Sequence, residues 1–510
     1  MKIRTLCICL FIAVINQALS STASAQVKQN IQGADKPWLY EFVVAPAPTV
    51  QPAFKYRLLP DRTLRRPGNA ATSYYRALYL FHAHSDQDRK EFDECYHFGF
   101  MVRPARTMAD GKVLQQVPIA SEIARVRSLV TRFADVFDEL ESASVCESCD
   151  WGIDLEKASG FEAIRKDTPQ FVAMRQLARL VQQKTRVAIF DRKYDEAMAL
   201  IQIGFQLGRD IAQCPMNIAG AIGIAISIEM QVPLMEMIAE PDSPNLYWAL
   251  ASAPRPMIDI RPGIEQELNL AYQLPFLRGA EKPHSPEEWT RGLNEALKLV
   301  HWMRSDVSVS NSKKPEPDSQ SEIRELVNRE YNRAKSELVQ FGFQPEQLVG
   351  MPEIQVLAIH QARLGFHKRD EILKSIYLPF HQASTLQRLN DGPEKKINHS
   401  DDITNMKEVI PIFESQIQWI DQARAASVRL DCLLVRLQTI EALRMHAAAN
   451  AGKLPGSLSE IISVPIPTNP ITGQSIIYHL EAETAVLEFP SPNSITTYGE
   501  IIHVTLRKRN

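Results

Sequence analysis

Cysteine is scarce in this chain, and so is an excess of charge of either sign. Seven cysteines occur in 510 residues, and two of them, Cys7 and Cys9, fall in the apolar N-terminal run. The other five, Cys95, Cys146, Cys149, Cys214 and Cys432, are an odd number, so a monomer keeps at least one unpaired. That is no disulfide-built scaffold. Lysine and arginine number 57 against 60 acidic residues, a formal net charge of −3. No basic stripe is wide enough to neutralise a row of phosphates, which argues against a nucleic-acid partner. Arg507-Lys508-Arg509 is too short a basic tail to change that.

Catalytic signatures are missing as well. There is no G-x-S-x-G elbow, no H-E-x-x-H and no phosphate-cradling glycine loop. Ser310 and Lys313 satisfy S-x-x-K, but they sit in the Pro/Ser-rich stretch SDVSVSNSKKPEPDSQS (305–321), where neither is held or desolvated. His82-Ala83-His84 with Asp86 and Asp88 would share a face only on a strand. Tyr74 to Phe81 reads as helix, where two histidines one residue apart point about 200° from each other. His360 and His367, two helical turns apart, share a region with His381, Glu353, Asp370 and Glu371 without a fixed partner in sight. Tyr247, Trp248, Trp151 and Trp302 could line a groove, although aromatics beside prolines more often plug cores. Cys146 and Cys149 form the only CxxC. Thioredoxin-like chemistry needs a helix starting at the first cysteine, whereas this pair follows a helix and precedes Asp150-Trp151-Gly152. Zinc would need two further ligands, and none stands out. A loop disulfide or two inert thiols is the expectation. No residue is singled out as catalytic, cofactor-binding or metal-binding, and no cofactor is expected.

What is present begins with an address. Lys2 and Arg4 precede the apolar run Leu6 to Val14, and Ala23-Ser24-Ala25 supplies small residues for cleavage. Residues 1–25 therefore read as a cleavable signal peptide, with Gln26 as the mature N-terminus. The run is too short to span ~30 Å of hydrocarbon, and Cys7 and Cys9 lie inside it rather than at a lipidation site. The mature protein is expected to be exported, periplasmic or extracellular.

The rest of the chain predicts a mainly α fold with a small C-terminal α+β module. Residues 26–70 form a Pro-rich arm, with strands expected at Leu39 to Val44 and Phe54 to Leu59. Residues 71–304 form a helical domain. Within it, Ile123, Val126, Val130, Phe133, Phe137 and Leu140 mark one apolar stripe on a helix over 121–140. Helices at 171–190 and 194–212 follow as a hairpin, and the uncharged stretch Ile211 to Ile228 reads as a buried core helix rather than a membrane span. A flexible linker, 305–321, precedes a second helical region, 322–450, itself interrupted by the polar stretch Asn390 to Asp402. Its last long helix, 423–450, ends at Gly452. In the module 451–510, Ser457 and Glu460 form an S-x-x-E capping box. Ser475 to Leu480 with Thr484 to Phe489 predict a hairpin, and Ile501 to Leu506 a third strand.

Residues 423–489 resemble the helix-plus-sheet head of type II secretion pseudopilins, through the long helix, GKLPGSLSEI (452–461) and PTNPITGQSIIY (467–478). A pseudopilin carries its head directly behind an N-terminal transmembrane helix, whereas here it is C-terminal. The resemblance therefore implies the shape of the module and not assembly into a pilus. Nearly the whole chain also resembles a set of exported proteins of unassigned function from planctomycete genomes. The residues concerned are PGNAATSYYRA (67–77), CDWG (149–152), KYDEAMALIQIGF (193–205), PNLYWAL (244–250), YLPF (377–380) and EALRMHAAANAGKLPGSL (441–458). Residues 178–210 are similar to a tetratricopeptide helix pair, but no second copy appears, and solenoids need about three.

Together these features predict a non-catalytic interaction or scaffold protein of the cell envelope with protein partners and, once the signal is cleaved, no stable membrane span. The alternatives are an envelope hydrolase whose site assembles from distant residues, or a secretion- or pilus-associated component.

Overall fold

The computed structural model describes residues 38–97, 105–107, 113–114, 120–153, 169–272, 274, 282, 284–304, 319–383, 406–491 and 499–507. The expected signal peptide (1–25), Ser310 with Lys313, and the polar break 390–402 lie outside the described residues.

The fold is mainly α. The N-terminal half contains α1 (Ala70–Ala83), α2 (Asp86–His97), α3 (Ala120–Arg132), α4 (Ala134–Ser144), α5 (Pro169–Phe190), α6 (Tyr194–Ala212), α7 (Asn217–Ala239) and the short α8 (Tyr247–Ala251). After these come α9 (Arg261–Tyr272), α10 (Pro286–Arg304), α11 (Ser319–Gln340), α12 (Pro345–Val349), α13 (Glu353–Tyr377) and the long α14 (Glu414–Ala449). The strands are β1 (Trp38–Val44), β2 (Arg66–Asn69), β3 (Ala105–Thr107), β4 (Val113–Leu114), β5 (Cys146–Ser148), β6 (Ile477–Glu481), β7 (Thr484–Phe489) and β8 (Glu500–Leu506).

Local chemistry explains several boundaries. Asn69 caps α1 by accepting from the Ala71 N–H at 3.1 Å, and exchanges hydrogen bonds with the Asp150 backbone at 2.7 and 2.8 Å. That exchange ties β2 to the end of β5. The stripe over 121–140 makes two helices instead of one, because the chain bends at Phe133 (φ −94°, ψ 26°). Phe133 is fully buried there between Phe81, at 5.3 Å between ring centroids, and His84, at 4.3 Å. Burying that ring outweighs helical continuity. The α5–α6 hairpin turns at Arg192, whose φ of 57° is left-handed. Helix α7 continues past Glu229 and through Pro233 to Ala239. Among the described residues it is the one helix long and apolar enough to cross a membrane, and 83% of its apolar window is buried inside the protein. It meets α6 at a close crossing, where a Cβ on Gly223 would sit 2.5 Å from the Gly208 carbonyl oxygen.

Two hydrophobic cores result. The first joins residues 42–258 to residues 423–504, so segments far apart in sequence share one interior. The second, 264–420, is built from α9 to α13 and the start of α14. It is inserted between the two halves of the first, and residues on either side of 305–321 belong to it. The halves are also joined by a six-stranded sheet of order β4-β3-β1-β8-β7-β6. Its pairings are antiparallel except β1 with β8, which run parallel from Trp38 opposite Glu500 to Val44 opposite Leu506. The Pro-rich arm thus supplies a strand to the C-terminal sheet. Its expected second strand, 54–59, is irregular and contributes buried Tyr56 and Leu58 instead.

A buried polar cluster fastens the same halves. Arg444, with no exposed surface, donates to the Ala45 carbonyl at 2.8 Å, to Glu441 at 2.8 Å, and to the Ser243 carbonyl and hydroxyl at 3.0 and 2.9 Å. Asn245 completes it, donating to the Glu441 carbonyl at 2.9 Å. Helix α14 ends through Ala451 and Gly452, both left-handed, with the Gly452 N–H returning to the Ala447 carbonyl at 2.8 Å. After it, 458–460 form a single 3-10 turn, as the S-x-x-E pattern expects, but Ser457 makes no cap bond. Glu460 instead accepts from the Gly456 N–H at 3.0 Å.

Candidate functional site

Among the described residues, those singled out in the sequence do not assemble into one site. His84 pairs with Asp135 at 3.0 Å at the end of α1, and His82 points to solvent. Trp151 is core: its Nε1 donates to the Asp210 carbonyl at 2.8 Å and its ring stacks on Tyr74. Tyr247 is also core, its hydroxyl donating to the Pro465 carbonyl, with Trp248 edge-on at 5.2 Å. The side chain of Trp302 lies outside the described residues. His360 is buried and 2.5 Å from Glu337, which is held in turn by Arg333 at 3.0 Å. Burial holds the His360 ring below its ordinary pKa although Glu337 opposes this, so at neutral pH the cluster is a packed polar joint of the second core. His367 packs against Phe341 at 5.6 Å, and His381 abuts the Thr472-Gly473 turn.

None of the five cysteines outside the N-terminal run is joined in a disulfide. Burial, reinforced by Asp210, raises the pKa of Cys149 well above that of an ordinary thiol, and burial does the same more weakly for Cys146. Neither is a ready thiolate, the form that redox and metal chemistry need. Among the described residues no group of three or more His, Cys, Asp or Glu side chains is placed to hold a metal ion.

Two concavities carry more. The larger, about 630 Å³, lies in the C-terminal module where the end of α14, the β6–β7 turn and the end of β8 converge. Its floor is Ala447, Ala448, Leu454, Leu480 and Leu506, and Lys453, Glu483 and Arg507 stand among its walls. Beside it β6 is an edge of the sheet, with Ile477 and Leu480 exposed.

The second, about 370 Å³, lies between the two cores. The connection 255–261 forms one wall, the end of α13 with residues 378–381 another, and one face of α14 the floor, with Pro470 reaching in from the C-terminal module. Three arginines and two aspartates line it: Arg255, Arg261, Arg424, Asp259 and Asp431. Arg261 grips Asp259 with two bonds of 2.8 and 2.7 Å. Burial alone would raise the Asp259 carboxyl, but these bonds and the Arg261 N–H outweigh it and hold it below its usual range. Asp431 accepts from the Met257 N–H at 3.0 Å, and burial nevertheless pushes its carboxyl up to about 6. Arg255 donates to the Asp431 carbonyl at 3.0 Å and to Gln438 at 3.2 Å.

None of these five residues was singled out in the sequence. The available signal was the spacing of Arg424, Ser427 and Asp431, which repeats at three and four residues and puts polar groups on one face of a helix otherwise rich in leucine and alanine. No family model matches the sequence, no curated protein matches it, and no solved structure matches the fold.

Proposed function

We propose that this chain is an exported, non-catalytic interaction protein of the cell envelope, and that the groove of its C-terminal module receives an extended segment of a partner protein. The observation that carries this reading is the 630 Å³ groove beside the edge strand β6. An edge strand presents unpaired N–H and C=O groups that a peptide can extend as a further strand, while pockets alongside select its side chains. The groove is such a pocket, and exposed Leu480 of β6 is part of its apolar lining.

The test is a photo-crosslinking residue at position 480, compared with one at exposed Tyr79 on the helical body, in the native envelope. Adducts of defined mass from position 480 alone are expected. Equal labelling from both positions, or none from 480, refutes the assignment. For the address, mass spectrometry of the envelope fraction should find a mature chain beginning at Gln26.

An envelope hydrolase has one observation in its favour. Asp259 and Asp431 share a cleft and their pKa values are pushed in opposite directions, as they are in acid–base pairs. Against it, both Asp259 oxygens are already engaged by Arg261. A panel of cell-wall glycan and peptide substrates decides: turnover lost in Asp431→Asn would establish it, and no turnover by the wild type ends it.

A further inference from the structure

Among the described residues, the cleft between the cores holds one positive charge that is only loosely matched. Arg261 is matched by Asp259, and Arg255 lies against Asp431 and Gln438. Arg424 is different. It is 8% exposed, and among the described residues its Nη1 makes long contacts, 3.5 Å to the Ser375 hydroxyl and 3.8 Å to Asp421, whose side chain is 41% exposed. Its Nη2 is buried and meets no partner among the described residues. A buried guanidinium in that state is strongly unfavourable unless something in the cleft answers it. Counting only lining side chains, the cleft carries one more positive charge than negative. The remaining walls near Arg424 are apolar: Ile376, Leu378, Pro379, Val428 and the Phe380 ring, whose centroid lies 5.6 Å from the guanidinium carbon. The Ser427 hydroxyl adds a donor whose present bond, to the Ile258 carbonyl, is a long 3.4 Å.

From this geometry we infer that the inter-core cleft is a binding site for a small organic monocarboxylate with an apolar body, its carboxylate on Arg424 and Ser427 and its apolar part against Leu378, Phe380 and Val428. A planar carboxylate matches the guanidinium fork, and one negative charge balances the lining. About 370 Å³ falls within the range of small-ligand sites. The inference is independent of peptide docking at the C-terminal module, and either can fail alone.

The experiment is calorimetric titration of the full mature chain with benzoate, with benzyl alcohol and inorganic phosphate as the comparison probes. Benzoate is expected to bind one site with a Kd of about 1 mM, as suits so small a probe, and benzyl alcohol and phosphate at least tenfold more weakly. Arg424→Gln should weaken benzoate at least tenfold while leaving the Tm without ligand unchanged or higher, since it removes an uncompensated buried charge. A merely structural Arg424 would lower that Tm. Leu378→Trp, which narrows the mouth without touching Arg424, should also abolish benzoate binding and keeps the test open if Arg424→Gln fails to fold. Absence of benzoate binding, equal binding by Arg424→Gln, or phosphate binding as tightly as benzoate overturns the inference.

Discussion

Replacing Arg444 with methionine should destabilise the first core by about 4 kcal/mol, within the range for breaking a buried ion pair by removing one partner. The arginine and Glu441 both have no exposed surface, and Glu441 Oε2 has no hydrogen-bond partner among the described residues even in the intact pair. Without Arg444, the Ala45 and Ser243 carbonyls lose a donor and Glu441 is left as an unpaired buried carboxylate. The cost stays finite because Glu441 can take up a proton; burial already raises its pKa, against the pull of Arg444. In the variant, folded Glu441 binds its proton more tightly than the unfolded chain does. Stability should therefore rise as pH falls through the folded pKa, and level off below the ordinary glutamate value of about 4.3. Urea unfolding followed by near-ultraviolet circular dichroism measures both effects. Adding Glu441→Leu removes the stranded charge and should restore at least about 2 kcal/mol relative to Arg444→Met alone. A single variant within about 1 kcal/mol of wild type, or a double variant less stable than the single, would refute this account of the cluster.

Other predictions concern single positions. Asp210, buried against Tyr74 and Gln206, has its carboxyl pushed up to about 6 by burial. Its folded pKa exceeds its unfolded one, so its contribution to stability is full below about 3.9 and is lost as pH rises through 6, about 3 kcal/mol in all. Asp210→Asn should flatten thermal stability over that window, and an unchanged pH profile would contradict it. Gly223→Ala should lower stability by about 1–3 kcal/mol by wedging α6 from α7, where its Cβ would meet the Gly208 carbonyl at 2.5 Å; a neutral effect in denaturant melts would show that the crossing can relax. Brief alkylation of the folded protein should label Cys146 first, since it is only half-buried while Cys149 and Cys432 are buried. Mass spectrometry reads the order, and labelling of Cys432 ahead of Cys146 would contradict it.

Much of the helical architecture was legible in the sequence because period and punctuation agree there. The α5–α6 hairpin, the buried α7 and the β6–β7 hairpin follow from apolar spacing and turn residues. The bend at Phe133 was hidden, since its own helical period is unbroken and only tertiary burial of the ring explains the kink. The pairing of β1 with β8 was equally hidden: nothing local to 38–44 states that its partner lies more than 450 residues away. The inter-core cleft escaped for the same reason. Arg255, Asp259, Tyr377 and Arg424 are ordinary charged or polar residues until the fold brings three separate segments together.

The central structural claim is that residues 42–258 and 423–504 form one cooperative core with 264–420 inserted between them. Hydrogen exchange read by mass spectrometry on Arg444→Met tests it most directly. Peptides from β1, from α6 and α7 and from β7 and β8 should lose protection together, while α13 keeps its wild-type protection. Loss confined to the C-terminal segment, or an equal loss in α13, would contradict it.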